Sequence, residues 1–426
     1  MSRVVDLTSV PSGLRVVALW STTTPENENA QDRAKRGRLG RPVASLFDGT
    51  FYHRWYVAGQ HQLPRLVYRR ALSPAEVALR SAAPAVTVEA ADVALFVLPS
   101  GGLVASVAID ARRRGDVPLP DAVTRLYHDL DTDREELLLG NHHILEACCE
   151  GTSVDSNDLR LDGDFHGVTV LPTEALSLST ELDRQILMRL VSRRDETSRT
   201  DFLTARFPAE PNRYPDGAAA VTPGASVVVG QAGAVGLAHV ISAVQAIAAI
   251  SALRQIQRRC FDALRLLRGP EPTGRDWLGQ RMRDLSELEI DLSFGVEAYL
   301  DMRLLVPSLP VEQLHRSLVE ALALDRGAKV TGTMLQRLTA ALSAEDAALE
   351  ATRRQDEERV AAMDRELRAQ AERQAAARRA GGAVAAGLAA IVALPLGLPR
   401  RQRLGCREGP VDVRPRVFRS LLPRPS

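Results

Sequence analysis

The chain has 426 residues, room for two or three domains with cores of their own, and its 45% hydrophobic and 25% charged residues are an ordinary balance for a folded soluble protein. A net charge of +1 excludes a general nucleic-acid binder, because neutralising phosphates needs a concentrated excess of positive charge. Four cysteines (Cys148, Cys149, Cys260 and Cys406) are too few for a disulfide scaffold, and the adjacent pair would be strained if bridged.

The N-terminus lacks a basic start followed by an uninterrupted apolar core, so no signal peptide is expected and the bulk of the chain is expected in the cytoplasm. Leu14–Trp20 is short, β-branched and aromatic, and predicts a strand. Residues 22–41 carry no hydrophobic period and read as a loop. Ser73 and Pro74 look like the N-cap and first position of a helix over 74–80. Val93–Leu98 and Leu103–Ile109 flank the Gly-rich turn of residues 99–102 and predict a β-hairpin. Helical spacing returns over Leu119–Leu130.

Between 150 and 230, Gly167–Leu171 and Ala225–Val229 look like strands and Leu182–Val191 like an amphipathic helix, with a Pro-rich surface loop over Phe207–Gly217. Gly217–Leu253 contains no charged residue, yet Pro223-Gly224 and three further glycines divide it, and His239, Ser242, Gln245 and Ser251 would each need a partner in hydrocarbon. A strand followed by a buried helix over 235–268 is the better account. Trp277–Met302 and Pro310–Leu324 continue a helical bundle.

Thr331–Arg379 is a charged helical pattern with a leucine stripe, Leu335, Leu338, Leu342 and Leu349, which slips before Val360, Met363 and Leu367 resume it. At about 1.5 Å per residue it would extend about 73 Å. The stripe is expected to be covered by a second copy of the chain or by the bundle of 235–325. Ala380–Leu398 follows, nineteen residues without a charge, at the short end of what spans a bilayer. Arginines flank it on both sides, so orientation does not follow from charge.

The expected fold is therefore an α+β N-terminal domain followed by a helical bundle, a long charged helix and a C-terminal hydrophobic membrane segment. The expected divisions are 1–150 (α+β), 151–234 (mixed), 235–330 (bundle), 331–379 (stalk), 380–398 (membrane segment) and 399–426 (Arg/Pro-rich tail).

Four clusters invite chemistry. His142-His143 and Cys148-Cys149 carry zinc-ligand types, but structural zinc sites space their ligands so that two converge from one turn, and adjacent pairs do not. Asp155, Asp158, Asp162 and Asp164 form an acidic stretch without the calcium-loop pattern, and Asp162-Gly163 reads as a turn. Gly230–Gly236 follows a strand and precedes a helix, as a phosphate cradle would, but has no Lys and fits neither glycine-rich phosphate motif. His128 with Asp129 and Asp131 could be a hydrolase fragment, without a nucleophile elbow to accompany it. No catalytic residue, cofactor or metal is assigned.

Two stretches carry a resemblance. One is Phe207–Arg213 with Val240–Ile247 and Leu253–Ile256; the other is Leu292–Tyr299 with Leu304–Leu309 and His315. Together they resemble the CATRA group, actinobacterial proteins found beside caspase-like and TPR-repeat proteins in conflict systems, over roughly residues 90–398. The resemblance implies a membrane-associated component of a defence or programmed-death response, with caspase-like or TPR-repeat partners, and carries over no catalytic residue. Because the candidate clusters fail on spacing while the stalk and apolar segment stand, a non-enzymatic, membrane-anchored sensor or adaptor is the expected function. The architecture also resembles CorA-type divalent-cation channels. Those end in two membrane helices with a Gly-Met-Asn signature, whereas one apolar segment here precedes the tail of residues 400–426. A nucleotide-acting enzyme using Gly230–Gly236 is the other alternative.

Overall fold

The computed structural model describes residues 11–23, 35–43, 63–172, 180–194, 212–214, 217–230, 234–267, 275–301 and 309–392, with positions 5, 7, 175 and 176. The chain divides into two compact units, Met1–Leu349 and Glu350–Ser426.

In the first unit, nine strands among the described residues form one sheet. They are β1 (Leu14–Thr23), β2 (Arg41–Pro42), β3 (Arg65–Leu72), β4 (Val86–Val97), β5 (Leu103–Arg113), β6 (Arg160–Leu171), β7 (Asn212–Tyr214), β8 (Gly217–Val221) and β9 (Ala225–Val229). Their order is β2-β3-β4-β5-β1-β6-β9-β8-β7. All pairs are antiparallel except β6 with β9. The hairpin at 93–109 forms as expected, with both strands longer than the apolar runs suggest, because pairing extends to Val86 and Arg113.

Helices cover both faces. On one face lie α1 (Leu119–Tyr127), α2 (Ile144–Cys149) and α3 (Glu181–Ser192), burying Leu126, Cys148 and Leu190 against Trp20, Leu95 and Ile109. Tyr127 fits there because Gly167 has no side chain: a Cβ at 167 would come within 2.0 Å of the ring. The Tyr127 hydroxyl pairs with Thr169 at 2.8 Å.

On the other face lie α4 (Ala234–Leu267), α5 (Arg275–Leu292), α6 (Ala298–Leu300), α7 (Leu309–Ala321) and the start of α8 (Leu324–Val392). A wide π turn, Ser293–Glu297, joins α5 to α6. Between α7 and α8, Ala323 takes a left-handed conformation at φ +51°, which ends one helix and starts the next within two residues. Helix α4 is the one described helix long and apolar enough to cross a membrane, over Gly236–Leu267, but 89% of its most apolar window is buried inside the protein. A charge-free sequence here marks burial by protein on every side, as expected.

Several expectations change. The boundary near 150 has no counterpart in the sheet, since β6 pairs with β1 along most of its length, and α4 packs on β1 and β6, so neither does the one near 234. Asp162-Gly163 is not a turn but lies inside β6, drawn into extended backbone by the pairing that runs out to Thr22 and Thr23. The helix expected over 74–80 is a single 3-10 turn, Pro74–Glu76, whose Glu76 accepts from the Ser73 backbone N–H at 2.6 Å. Its continuation is overridden by a bridge from Val77 to Leu139. Part of the loop expected over 207–217 is strand β7, and residues 207–211 lie outside the described residues.

In α8, Leu335, Leu338 and Leu342 are buried in the core with α4 and α5, and Leu349 packs against the same cluster. The bundle, not a second chain, covers this part of the stripe. The second unit, taken by itself, is helical from Glu350 to Val392, and its described side chains are exposed apart from the partly buried Glu350. Arg354–Glu350, Arg353–Glu357 and Arg368–Asp364 link successive turns at i,i+4 spacing. The expected membrane segment is helical over 380–392, and residues 393–398, like the tail after them, lie outside the described residues.

Candidate functional site

Strand β6 presents Asp162, Asp164, His166, Val168 and Val170 on the face turned toward α4, by the two-residue alternation of a strand. Helix α4 answers with His239, Ser251 and Arg254. The sheet and the helix thus bring Asp162, Asp164, His166 and His239 into one line.

At the inner end His166, Ser226 and His239 form a buried chain. His166 Nε2 lies 3.1 Å from Ser226 Oγ, and His239 Nε2 lies 2.6 Å from the same oxygen. His166 Nδ1 is 3.2 Å from the Pro223 carbonyl, which can only accept, so this nitrogen carries the proton. Nε2 of His166 then accepts from the Ser226 hydroxyl, and Ser226 accepts from His239 Nε2–H. His239 Nδ1 is left as a bare acceptor with no donor among the described residues. Burial pushes both imidazoles toward the neutral form, His166 down to about 4 and His239 to about 3.

At the outer end, Asp162 Oδ2 accepts from Ser251 Oγ at 3.1 Å, and Asp162 Oδ1 accepts from the Gly163 N–H at 2.8 Å. Asp164 Oδ1 sits 2.5 Å from Arg254 Nη1, with the aspartate side chain 5% exposed and the arginine 50%. Its other oxygen, Oδ2, is buried without a hydrogen-bond partner among the described residues. Burial raises the Asp164 carboxyl to about 6, opposed by Arg254 and reinforced by Asp162.

Asp164 lines a cleft of about 430 Å³ bounded by Phe165, the Pro223-Gly224 turn, Leu253, Arg254, Gln257 and the α7–α8 junction at Leu322–Leu324. That volume suits a small ligand, and a mixed wall of apolar and polar groups around one perturbed carboxylate is compatible with such a site. A second depression, lined by Thr22, Ser100, Gln255 and Arg259, holds only about 50 Å³.

The histidine–cysteine cluster and the acidic stretch each divide between separate roles. Cys148 is buried beneath the sheet with its Sγ 3.7 Å from the Ser106 carbonyl, and burial pushes its thiol up to about 12 and that of Cys149 to about 11. His143 instead caps α2, its backbone N–H donating to Glu146 at 3.1 Å, and His142 lies beside the same carboxylate. Asp155 caps a 3-10 turn through the Asn157 N–H at 2.9 Å, Asp158 is exposed, and Asp162 and Asp164 point to α4.

Asp131 pairs with Arg193 at 2.5 Å, whereas His128 Nδ1 lies 3.1 Å from Asp133. The ligand atoms of His128, Asp129 and Asp133 do lie within 4.8 Å of one another. The Asp129 carboxylate, however, already accepts the backbone N–H groups of Arg80, Ser81 and Ala82, which makes it a loop clamp. Gly230 has φ +84° and donates its N–H to the Leu171 carbonyl, so it turns the chain from β9 toward α4; residues 231–233 of that segment lie outside the described residues.

Sequence reasoning misses the cleft because Asp162 and Asp164 have the composition of an acidic loop. The usable signal is the alternation Asp162-x-Asp164-x-His166-x-Val168-x-Val170, which marks one strand face. Comparison of the chain with protein-family models, with curated proteins and with solved structures finds no match.

Proposed function

We propose that this protein is a non-enzymatic, membrane-anchored sensor or adaptor of a bacterial conflict system. The observation that carries the reading is the helix beyond Leu349. Val360, Met363 and Leu367 are 63%, 61% and 63% exposed on it, a three-then-four spacing that places them on one stripe. Such a stripe on an otherwise charged helix suits a helical partner, and the charge-free Ala380–Leu398 that follows suits insertion in a bilayer. The sheet unit is then the cytoplasmic sensing body. The resemblance to the CATRA group supplies the expected partners, caspase-like or TPR-repeat proteins, and the burial of Cys148 together with the use of Asp129 as a loop clamp favours an adaptor over a zinc-dependent or hydrolase site there.

Fractionation tests the anchor. The full chain is expected in membranes and a variant lacking 380–426 in the soluble fraction; equal solubility of the two overturns the anchor. Pull-down of a neighbouring caspase-like or TPR-repeat protein by the full chain, lost in the double variant Met363→Asp/Leu367→Asp, is the expected result for the adaptor role. Capture that survives the double variant removes the stripe from it.

A further inference from the structure

The cleft beside Asp164 is a built site that the adaptor reading does not use. Asp164 is almost wholly buried, one of its oxygens is held by Arg254, and the other has no donor among the described residues. A buried carboxylate oxygen without a donor is costly, and a ligand donor placed there removes the cost. The charges are unequally placed. Asp164 is the one carboxylate among the described residues lining the cleft and is buried, with Asp162 buried two residues along the same strand face, whereas Arg254 lines the cleft half-exposed. Apolar side chains make up part of the wall: Ile247, Ile250, Leu253 and Leu324 line the space beside Arg254 and Gln257.

We propose that this cleft binds a small ligand with an apolar body and one protonated amine, the ammonium donating to Asp164 and the body lying against α4 and the α7–α8 junction. A neutral hydroxyl offers one donor without charge, and a carboxylate meets repulsion from both aspartates, so neither satisfies the site equally. The junction gives the ligand a lever on the fold. Leu322, Ala323 and Leu324 form one wall, and the left-handed Ala323 sets where α8 departs. The proposal goes beyond the adaptor reading and does not depend on the anchor or the exposed stripe.

The experiment uses the full-length chain and three probes that share one body: 2-phenylethylamine, 2-phenylethanol and phenylacetate, titrated by ligand-observed NMR. The amine is expected to bind at least about tenfold more tightly than the alcohol, with no binding of the acid. Asp164→Asn, checked for folding by its thermal transition, is expected to abolish the preference for the amine. Arg254→Gln releases the carboxylate from its competing cation and is expected to tighten amine binding several-fold, an outcome that loss of structure would not produce. Amine binding is also expected to weaken below about pH 6, as Asp164 takes up its proton. Equal binding of the three probes, no binding at all, or an amine preference that survives Asp164→Asn overturns the proposal. Loss of membrane association or of partner capture would leave it standing.

Discussion

The two halves of α8 are built from similar residues and meet opposite fates. From Leu324 to Leu349 the helix buries Leu335, Leu338 and Leu342 in the core, whereas from Glu350 onward Val360, Met363 and Leu367 stand in solvent. Helical propensity is much the same in both, since Ala, Arg, Glu and Leu dominate throughout. Burial separates them, and burial is worth far more than propensity, about 0.8 kcal/mol for each methylene removed from water. The first half is therefore part of the fold, while the second half is held by its own backbone and by ion pairs that each contribute little.

The largest expected effect puts the halves side by side. Leu342→Ala empties a filled site and should cost roughly 2–5 kcal/mol in chemical denaturation. Met363→Ala removes an exposed side chain and should change stability by less than about 0.5 kcal/mol. If Met363→Ala costs as much as Leu342→Ala, and its cost grows with protein concentration, the exposed stripe is covered by a second copy and the contrast fails.

Acid should separate the units next. The folded pKa values of His166 and His239, about 4 and about 3, lie below the ordinary imidazole value of about 6.5. The unfolded chain therefore binds more protons below about pH 6.5, so the stability these groups contribute is present above that pH and is lost as pH falls through 6 toward 4. Each tenfold difference in proton affinity between the folded and unfolded chain is worth about 1.4 kcal/mol, so two such histidines should withdraw several kcal/mol. Asp164 works in the opposite direction, because its raised pKa relieves a penalty as it protonates. Residues 350–392 contain no histidine, so helical circular dichroism from that half should outlast the tertiary signal of the sheet unit in an acid titration. Simultaneous loss of both signals would contradict the comparison.

The smallest effect lies on the exposed half alone. Asp364→Asn breaks the pair with Arg368, 2.7 Å apart and open to solvent, and should lower helicity slightly, by less than about half a kcal/mol and only at low salt. A larger, salt-insensitive loss would show that this turn is packed against something.

Local chemistry was legible wherever one residue type could do only one thing. The β-branched and aromatic run at Leu14–Trp20 is extended and buried, the Gly-rich turn after Leu98 reverses the chain, and the charge-free stretch up to Leu253, interrupted by glycines and polar groups, is enclosed by protein. The leucine stripe marked a covered face, but its spacing is the same whether the cover is the bundle or another chain. Only the tertiary structure decided that Leu335, Leu338 and Leu342 belong to the bundle, because the choice depends on where α4 and α5 lie in space. The cleft was hidden for the same reason. Asp162-Gly163 has the composition of a turn, and what makes it strand is pairing with residues near 22, about 140 positions away in the chain. That pairing sets Asp164 and His166 on one face, and α4 then brings Arg254, Ser251 and His239 to meet them. Sequence determined the strands and helices with strong local patterns, such as Leu14–Trp20 and the 93–109 hairpin; the long-range register determined the rest of the strands and which polar side chains share one covered face of the sheet, since no local preference spans such a separation.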